Sequence, residues 1–93
     1  MLGNYFSPVV VAIRASAGRR LPPDVTAGHS LVFDLGFDSL SMARLGLALE
    51  EQFGRPILLD EWLSSESHPR NLTVGSLCAF LGSRLEADDR RGA

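Results

Sequence analysis

Ser39 is the residue whose type and position give the sequence its clearest chemistry. It follows a turn that contains Gly36, and it stands directly behind Asp38 at the start of a predicted helix. A serine at such a place faces solvent, and the first N–H groups of the helix have no partner within the helix. A phosphodiester attached to its hydroxyl would lie at the positive end of the helix dipole, which favours an anion. With Leu35 and Leu40 expected as core anchors on either side, the sequence predicts an exposed but firmly held attachment point.

Two other interpretations of Ser39 stay open at this point. A helix-capping serine needs no further chemistry, and the tripeptide Asp-Ser-Leu on its own is common by chance. A catalytic nucleophile would need a base, which has to be His29 or His68 brought near by folding. The surrounding Gly-Phe-Asp-Ser-Leu is not a nucleophile elbow, and no strand is predicted ahead of it. The pattern therefore disfavours an enzyme.

The helix that presents Ser39 is the clearest element of the sequence. It is predicted from about Ser39 to Phe53, with Asp38 as its N-cap, Gly54 at its end and Pro56 beyond. Its apolar residues form two rows, one of Leu40, Ala43 and Leu47 and one of Met42, Leu45, Leu49 and Phe53. A surface this wide indicates a central helix that contacts neighbours on more than one side.

A first helix is predicted to begin near Ser7–Pro8, because serine is a good N-cap and proline suits the first helical position. A set of apolar residues then follows the spacing of one helix face: Phe6, Val9, Val10, Ile13 and Ala17. The β-branched run at 9–11 makes a short strand the competing interpretation. Gly18 and the pair Arg19–Arg20 are typical of a helix end.

The remaining segments predict a loop and two further helices. Residues 21–37 are expected to form a long loop that Leu31, Phe33 and Leu35 pin to the core. A short helix is predicted from Asp60 to Ser65, with Asp60 as its cap and Trp62 and Leu63 presented on its surface; residues 66–71 are a predicted turn. The last helix is predicted to begin at Thr73 and to bury Cys78 on its apolar face.

Together these elements predict an all-α fold, a small four-helix bundle of three longer helices and one short helix, with the long loop between the first two. At 93 residues the chain suits one domain, 1–93, with a core of about 5–86 and a disordered tail at 87–93.

Composition and charge exclude several classes of function. A single cysteine and two histidines disfavour a disulfide framework and a metal cluster, and no apolar run reaches membrane-spanning length. Residues 34–66 carry seven acids against two arginines, a net charge of −5, and no basic stripe is present. This pattern argues against nucleic-acid binding and favours partners with basic patches. A cytoplasmic monomer is the default expectation.

The segment Asp34-Leu35-Gly36-Phe37-Asp38-Ser39-Leu40 resembles the phosphopantetheine attachment site of acyl carrier proteins and of peptidyl carrier domains. Those families have D-x-G-x-D/N/H-S-L/I followed by an amphipathic helix. The layout of a preceding helix, a long loop, a short third helix and a last helix that opens with Thr73-Val74 is also similar, so the resemblance covers roughly residues 5 to 86.

The resemblance implies a fold of acyl-carrier type and a cofactor, 4′-phosphopantetheine, that a phosphopantetheinyl transferase moves from coenzyme A to Ser39. It implies that Asp38 helps the transferase to recognise the site and that Leu40 flanks it. The cargo would be an acyl or aminoacyl group held as a thioester on the thiol of the cofactor. The protein would be a substrate shuttle for loading enzymes and downstream synthase or tailoring enzymes, not a catalyst.

The resemblance does not by itself distinguish an acyl carrier protein from a peptidyl carrier. Asp38 and the stretch 49–54 are similar to acyl carrier proteins, whereas Arg44 is similar to peptidyl carriers, because fatty-acid carriers usually have an acid there. The modest net charge of −2 also departs from the strongly acidic fatty-acid type. A discrete carrier in polyketide or nonribosomal peptide biosynthesis, loaded with an amino acid or a short acid, is therefore the preferred interpretation, ahead of a housekeeping fatty-acid carrier.

Partner enzymes would dock on exposed residues of the second and third helices: Leu40, Arg44, Leu47 and Trp62. For Leu47 and Trp62 the alternative is an ordinary core position, and for Arg44 it is a solvated charge. Glu50 and Glu51 are expected on the solvated face of the helix. A carrier-like helical module that is never modified and only binds another protein is the alternative function.

Overall fold

A computed structural model describes residues 2–18 and 20–92, and the side chains of residues 5–18 and 20–86. Along this described chain lie α1 (Leu2–Ser16), α2 (Ser39–Phe53), α3 (Leu59–Ser65), a 3₁₀ helix (Pro69–Asn71) and α4 (Val74–Gly92). Extended pairing within the described ranges is limited to one isolated bridge between Ser30 and Thr73. The predicted all-α four-helix fold is confirmed.

Helix α1 begins earlier than the sequence indicated. It starts at Leu2 and contains Pro8, so the predicted start at Ser7–Pro8 is wrong. Proline removes one N–H donor but holds φ near the helical value, so the helix continues through it at the cost of one hydrogen bond. The strand alternative for 9–11 is also wrong, because Val9 is helical and buried. Arg19, part of the predicted helix end, lies outside the described residues.

The long loop reaches the core through a helical turn. The N–H groups of Asp34 and Leu35 both donate to the Ser30 carbonyl at 3.0 Å. This spacing puts Leu31 and Leu35 on one side, where both are buried, and leaves Phe33 54% exposed. Phe33 was predicted to pin the loop and does not, because the segment has the period of a helical turn and not the alternation of a strand.

Helix α2 begins and ends where the sequence predicts. The Asp38 carboxylate caps its first turn, and Gly54 closes it with a left-handed φ of 67° while its N–H donates to the Glu50 carbonyl at 2.8 Å. Leu45 and Leu49 are fully buried, whereas Leu40 and Leu47 are 60% and 65% exposed. The helix therefore has one buried face, and the predicted row of Leu40, Ala43 and Leu47 lies at the surface.

Helices α3 and α4 differ in how they start. Leu58 precedes α3 without a side-chain cap, so the prediction of Asp60 as the cap is wrong; Asp60 lies inside the first turn, where an acid favours the helix dipole. Thr73 caps α4, its hydroxyl accepting from the Ser76 N–H at 3.1 Å. The backbone of α4 runs past residue 86 to Gly92, while the side chains of 87–92 and all of Ala93 lie outside the described residues, and the predicted core boundary stays a prediction.

The packing centres on α1, which contacts both α2 and α4. The short α3 is attached mainly through side chains. Its Trp62 is 1% exposed, and the indole N–H donates to the Ser76 hydroxyl on α4 at 2.9 Å. That hydroxyl in turn donates to the Glu66 carboxylate at 2.6 Å, and Glu61 forms an ion pair with Arg84. The helices therefore share one apolar core, and a series of hydrogen bonds and an ion pair at its edge holds α3 against α4.

Candidate functional site

The turn that leads to Ser39 is built by hydrogen bonds within a few residues. The Asp34 carboxylate accepts from the Ser30 N–H at 2.7 Å, and the Ser30 hydroxyl accepts from the Phe33 N–H at 3.1 Å. Gly36 then takes a φ of 71°, a left-handed conformation that a side chain disfavours. Asp34 and Gly36 thus direct the chain into α2, which explains their places in the motif in structural terms.

The Asp38 side chain fixes the first turn of α2. One of its oxygens accepts from the Ser41 N–H at 2.9 Å, and its carbonyl accepts from the Met42 N–H at 2.9 Å. The hydrogen bond from the Ser41 N–H is the main reason that the pKa of the Asp38 carboxyl lies below its ordinary value. Asp38 is exposed, so a charged carboxylate stands directly beside Ser39 at neutral pH.

Ser39 is exposed at the first residue of α2. Its hydroxyl forms no hydrogen bond with any described residue, so it is free to react. Leu35 anchors the turn at 1% exposure, but Leu40 does not anchor the other side as predicted, because it is 60% exposed. The positive end of the α2 dipole and the exposed hydroxyl together suit a covalently attached phosphodiester.

A groove of about 700 Å³ opens from Ser39 along α2. Its walls come from α2, from α3, from the loop at Val32 and Phe37, and from the segment at Pro69 and Leu72. Most of the lining is apolar, three carboxylates also line it, and no basic residue does. The groove therefore joins the exposed serine to an apolar space with an acidic border.

The four partner candidates fall into different environments. Leu40, Arg44 and Leu47 are exposed on α2, and Leu47 also lines the groove. Trp62 is buried under α3, which corresponds to the core alternative, so it is absent from the exposed surface. Glu50, expected to be solvated, is half-buried and its carboxylate accepts from the Ile57 N–H at 3.2 Å.

Both histidines act in local turns. Nδ1 of His29 accepts from the Thr26 N–H at 3.0 Å, and Nδ1 of His68 accepts from the Arg70 N–H at 3.1 Å. Neither histidine lines the groove that contains Ser39. The arrangement therefore gives no support to a serine nucleophile with a histidine base.

Two features of the site had no signal in the sequence. The groove depends on how α3 lies against α2, which local patterns do not encode. The stack of the Arg70 guanidinium on the Phe33 ring, 5.0 Å from its centroid, joins residues far apart in the chain. The sequence offered no hint of either feature, because Phe33 and Leu40 were both expected to anchor in the core.

Comparison with known proteins gives one match. A family model described as a phosphopantetheine attachment site matches residues 10–81. No curated protein and no solved structure matches the chain. Among the described helices, none combines the length and apolar composition needed to cross a bilayer. Because the family match spans well over half of the sequence and includes the turn, Ser39 and all of α2, the chain belongs to the phosphopantetheine-attachment family, whose carrier domains hold 4′-phosphopantetheine covalently on a serine.

Proposed function

We propose that Ser39 is the serine that carries 4′-phosphopantetheine in this chain, and that the protein works as a carrier in secondary metabolism. The observation that carries the assignment is the exposed, unpartnered Ser39 hydroxyl at the first residue of α2, at the mouth of the groove. Helix-terminal N–H groups and the aligned peptide dipoles favour the phosphodiester at this position.

The other serines within the matched span are poorer candidates. Three are buried, with 1–4% exposure: Ser16, Ser30 and Ser41. The Ser65 hydroxyl donates to the Trp62 carbonyl at 2.8 Å, and the Ser76 hydroxyl is shared between Trp62 and Glu66. Ser64 and Ser67 are exposed, but neither lines the groove. Burial, hydrogen bonding and position relative to the groove therefore support Ser39 over the other serines of the matched span.

When bound, the cofactor supplies a terminal thiol that holds an acyl or aminoacyl group as a thioester. The contribution of this chain is to present the attachment point: Asp34 and Gly36 shape the turn, and Asp38 holds the helix start and gives the transferase a charged residue to recognise. The match to a family of carrier domains supports a role as a shuttle whose cargo is loaded and used by other enzymes.

A role in polyketide or nonribosomal peptide biosynthesis is supported by two features. Arg44 stands on α2 where fatty-acid carriers usually have an acid, and the net charge of the chain is only −2. Both features are unlike the strongly acidic housekeeping type and therefore support the proposal. The preferred cargo is accordingly an amino acid or a short acid.

The docking surface that we propose consists of Leu40, Arg44 and Leu47, all exposed on α2 beside the attachment serine. Exposed leucines next to a charged residue are typical of an interface with an apolar centre and an electrostatic rim. The partners are the phosphopantetheinyl transferase, the loading enzyme and the downstream synthase or tailoring enzymes.

The experiment is an intact mass of the purified protein after incubation with coenzyme A and a broad-specificity phosphopantetheinyl transferase. We expect a gain of one phosphopantetheine in the wild type and in the matched control Ser67→Ala, and no gain in Ser39→Ala. A gain that survives Ser39→Ala would overturn the site assignment. No gain in folded wild type with two different transferases would favour the unmodified interaction module.

A further inference from the structure

The groove has a far end that lies well away from the attachment serine. Ser39 and Glu50 are both on its α2 wall, and at 1.5 Å per residue they are about 16 Å apart along the helix axis. The far end is completed by residues from the α2–α3 connection and from α3: Ile57, Leu59, Asp60 and Leu63. A cargo at the end of a long flexible arm on Ser39 would therefore contact the residues of the far end, and it would lie away from the serine itself.

The Glu50 carboxylate is held in place at the far end. One oxygen accepts from the Ile57 N–H at 3.2 Å, and the side chain is half-buried. Asp60, in the first turn of α3, provides a second carboxylate in the lining. Two acids from different elements thus border an apolar surface that Ile57, Leu59 and Leu63 provide.

The charge of the groove discriminates between cargo types. Its lining contains the carboxylates of Asp38, Glu50 and Asp60 and no arginine. A cargo with a free carboxylate would be repelled, and a neutral alkyl cargo would cover the half-buried Glu50 without offering it a hydrogen bond. A cargo that joins an ammonium group to an apolar side chain satisfies both the carboxylates and the apolar surface.

We propose that the cargo is an α-aminoacyl group with an apolar side chain. Its ammonium lies between Glu50 and Asp60, and its side chain rests on Ile57, Leu59 and Leu63. Gly46, whose absent side chain leaves space opposite Leu59, gives the groove its width at this level. This inference rests on the proposed function, because it requires the arm on Ser39.

The test uses coenzyme A analogues whose cargo is joined by a stable amide, transferred to Ser39 by the transferase. Leucyl, 4-methylpentanoyl and succinyl cargoes form a matched set, since the first two differ only in the amino group. Methyl NMR of Ile57 and Leu63 reports contact, and an NMR titration gives the pKa of the leucyl amine. The same amide-linked leucyl compound, not attached to the protein, is the reference.

We expect the leucyl cargo to shift the methyl signals of Ile57 and Leu63 more than either other cargo does. The pKa of its amine should exceed that of the free compound by about 0.5 to 1, because two nearby carboxylates favour the charged form in a partly screened site. Glu50→Gln with Asp60→Asn should return the pKa to the free value, and Glu51→Gln, on the outer surface of α2, should not. Glutamine at 50 keeps an oxygen for the Ile57 N–H, so the fold is preserved.

An amine pKa equal to that of the free compound would overturn the proposal, as would succinyl or 4-methylpentanoyl shifting the methyl signals as strongly as leucyl does. Thermal unfolding of each variant separates loss of the site from loss of the fold. Intact mass shows whether the cargo is attached to Ser39. If the cargo is attached but the methyl shifts and the raised amine pKa are missing, the aminoacyl assignment alone is contradicted. If no cargo is attached, the proposed function itself is contradicted.

Discussion

The two sides of α2 are packed in different ways. On one side α1 lies against α2 and also contacts α4, and the apolar residues between these helices, such as Ile13 and Leu45, are fully buried. On the other side the seven-residue α3 leaves the groove of about 700 Å³ and is attached through Trp62, Ser76 and a surface ion pair. The closed side supplies stability, and the open side supplies a surface that a cargo or a partner can occupy.

This difference explains how a short chain combines a firm attachment point with an accessible groove. Apolar burial is the main favourable term in folding, and an unfilled space forgoes part of it. The buried apolar residues are concentrated around α1, and the groove between α2 and α3 is left unfilled. Substitutions on the two sides should therefore separate stability from function.

The largest effect is expected on the closed side. Leu45→Ala should lower the free energy of unfolding by about 2–5 kcal/mol, because it leaves a cavity at a fully buried site. Leu47→Ala on the same helix is the control and should change it by less than about 0.5 kcal/mol, since Leu47 is 65% exposed. Urea unfolding followed by circular dichroism measures both. Equal effects would show that the two sides of α2 do not differ in the way described.

A smaller effect of opposite sign is expected in the groove. Gly46→Ala should raise the free energy of unfolding by about 1 kcal/mol, since alanine is the better helix former. The added Cβ would lie 3.9 Å from two Leu59 atoms, an ordinary contact. The same change should reduce the methyl shifts that a leucyl cargo causes, because the groove becomes narrower. A destabilised Gly46→Ala would mean that the groove is already closed at this level.

The smallest effect on stability is expected at the docking surface. Arg44→Glu should change the free energy of unfolding by less than about 0.5 kcal/mol, because Arg44 is exposed and has no ion-pair partner among the described residues. It should nevertheless change the rate of phosphopantetheine transfer several-fold at low salt, and this difference should shrink as salt rises. Arg20→Glu, exposed in the loop, is the matched control. Equal transfer rates for Arg44→Glu and the wild type would show that Arg44 is not part of the docking surface.

The elements that the sequence predicted well are those with local signals. Helix α2 has an acidic cap, a terminal glycine and a continuous apolar period, and all three act within a few residues of one another. The predictions failed where a local rule met a competing one. Ser7–Pro8 is a good helix start, yet α1 tolerates Pro8 in its interior, and Asp60 is a good cap, yet α3 begins one residue before it.

The tertiary features could not be predicted from the sequence, because they depend on contacts between residues that are distant in the chain. Leu31, Phe33 and Leu35 alternate in the sequence, but the hydrogen bonds at Ser30 turn the segment and expose Phe33. The burial of Trp62 depends on Ser76, fourteen residues later, which accepts its indole N–H. The groove and the position of Glu50 in it follow from how α3 is placed, and no local pattern encodes that placement.

The single cysteine has a consequence for thioester chemistry. Cys78 is 2% exposed, and burial raises the pKa of its thiol above the ordinary value. Thiol exchange requires an accessible thiolate, and Cys78 offers neither access nor charge. The chain, which contains no other cysteine, therefore has no accessible thiol of its own to compete for an activated acyl group. Self-acylation and a dead-end disulfide with the arm are both suppressed, and the cargo is kept for an external enzyme.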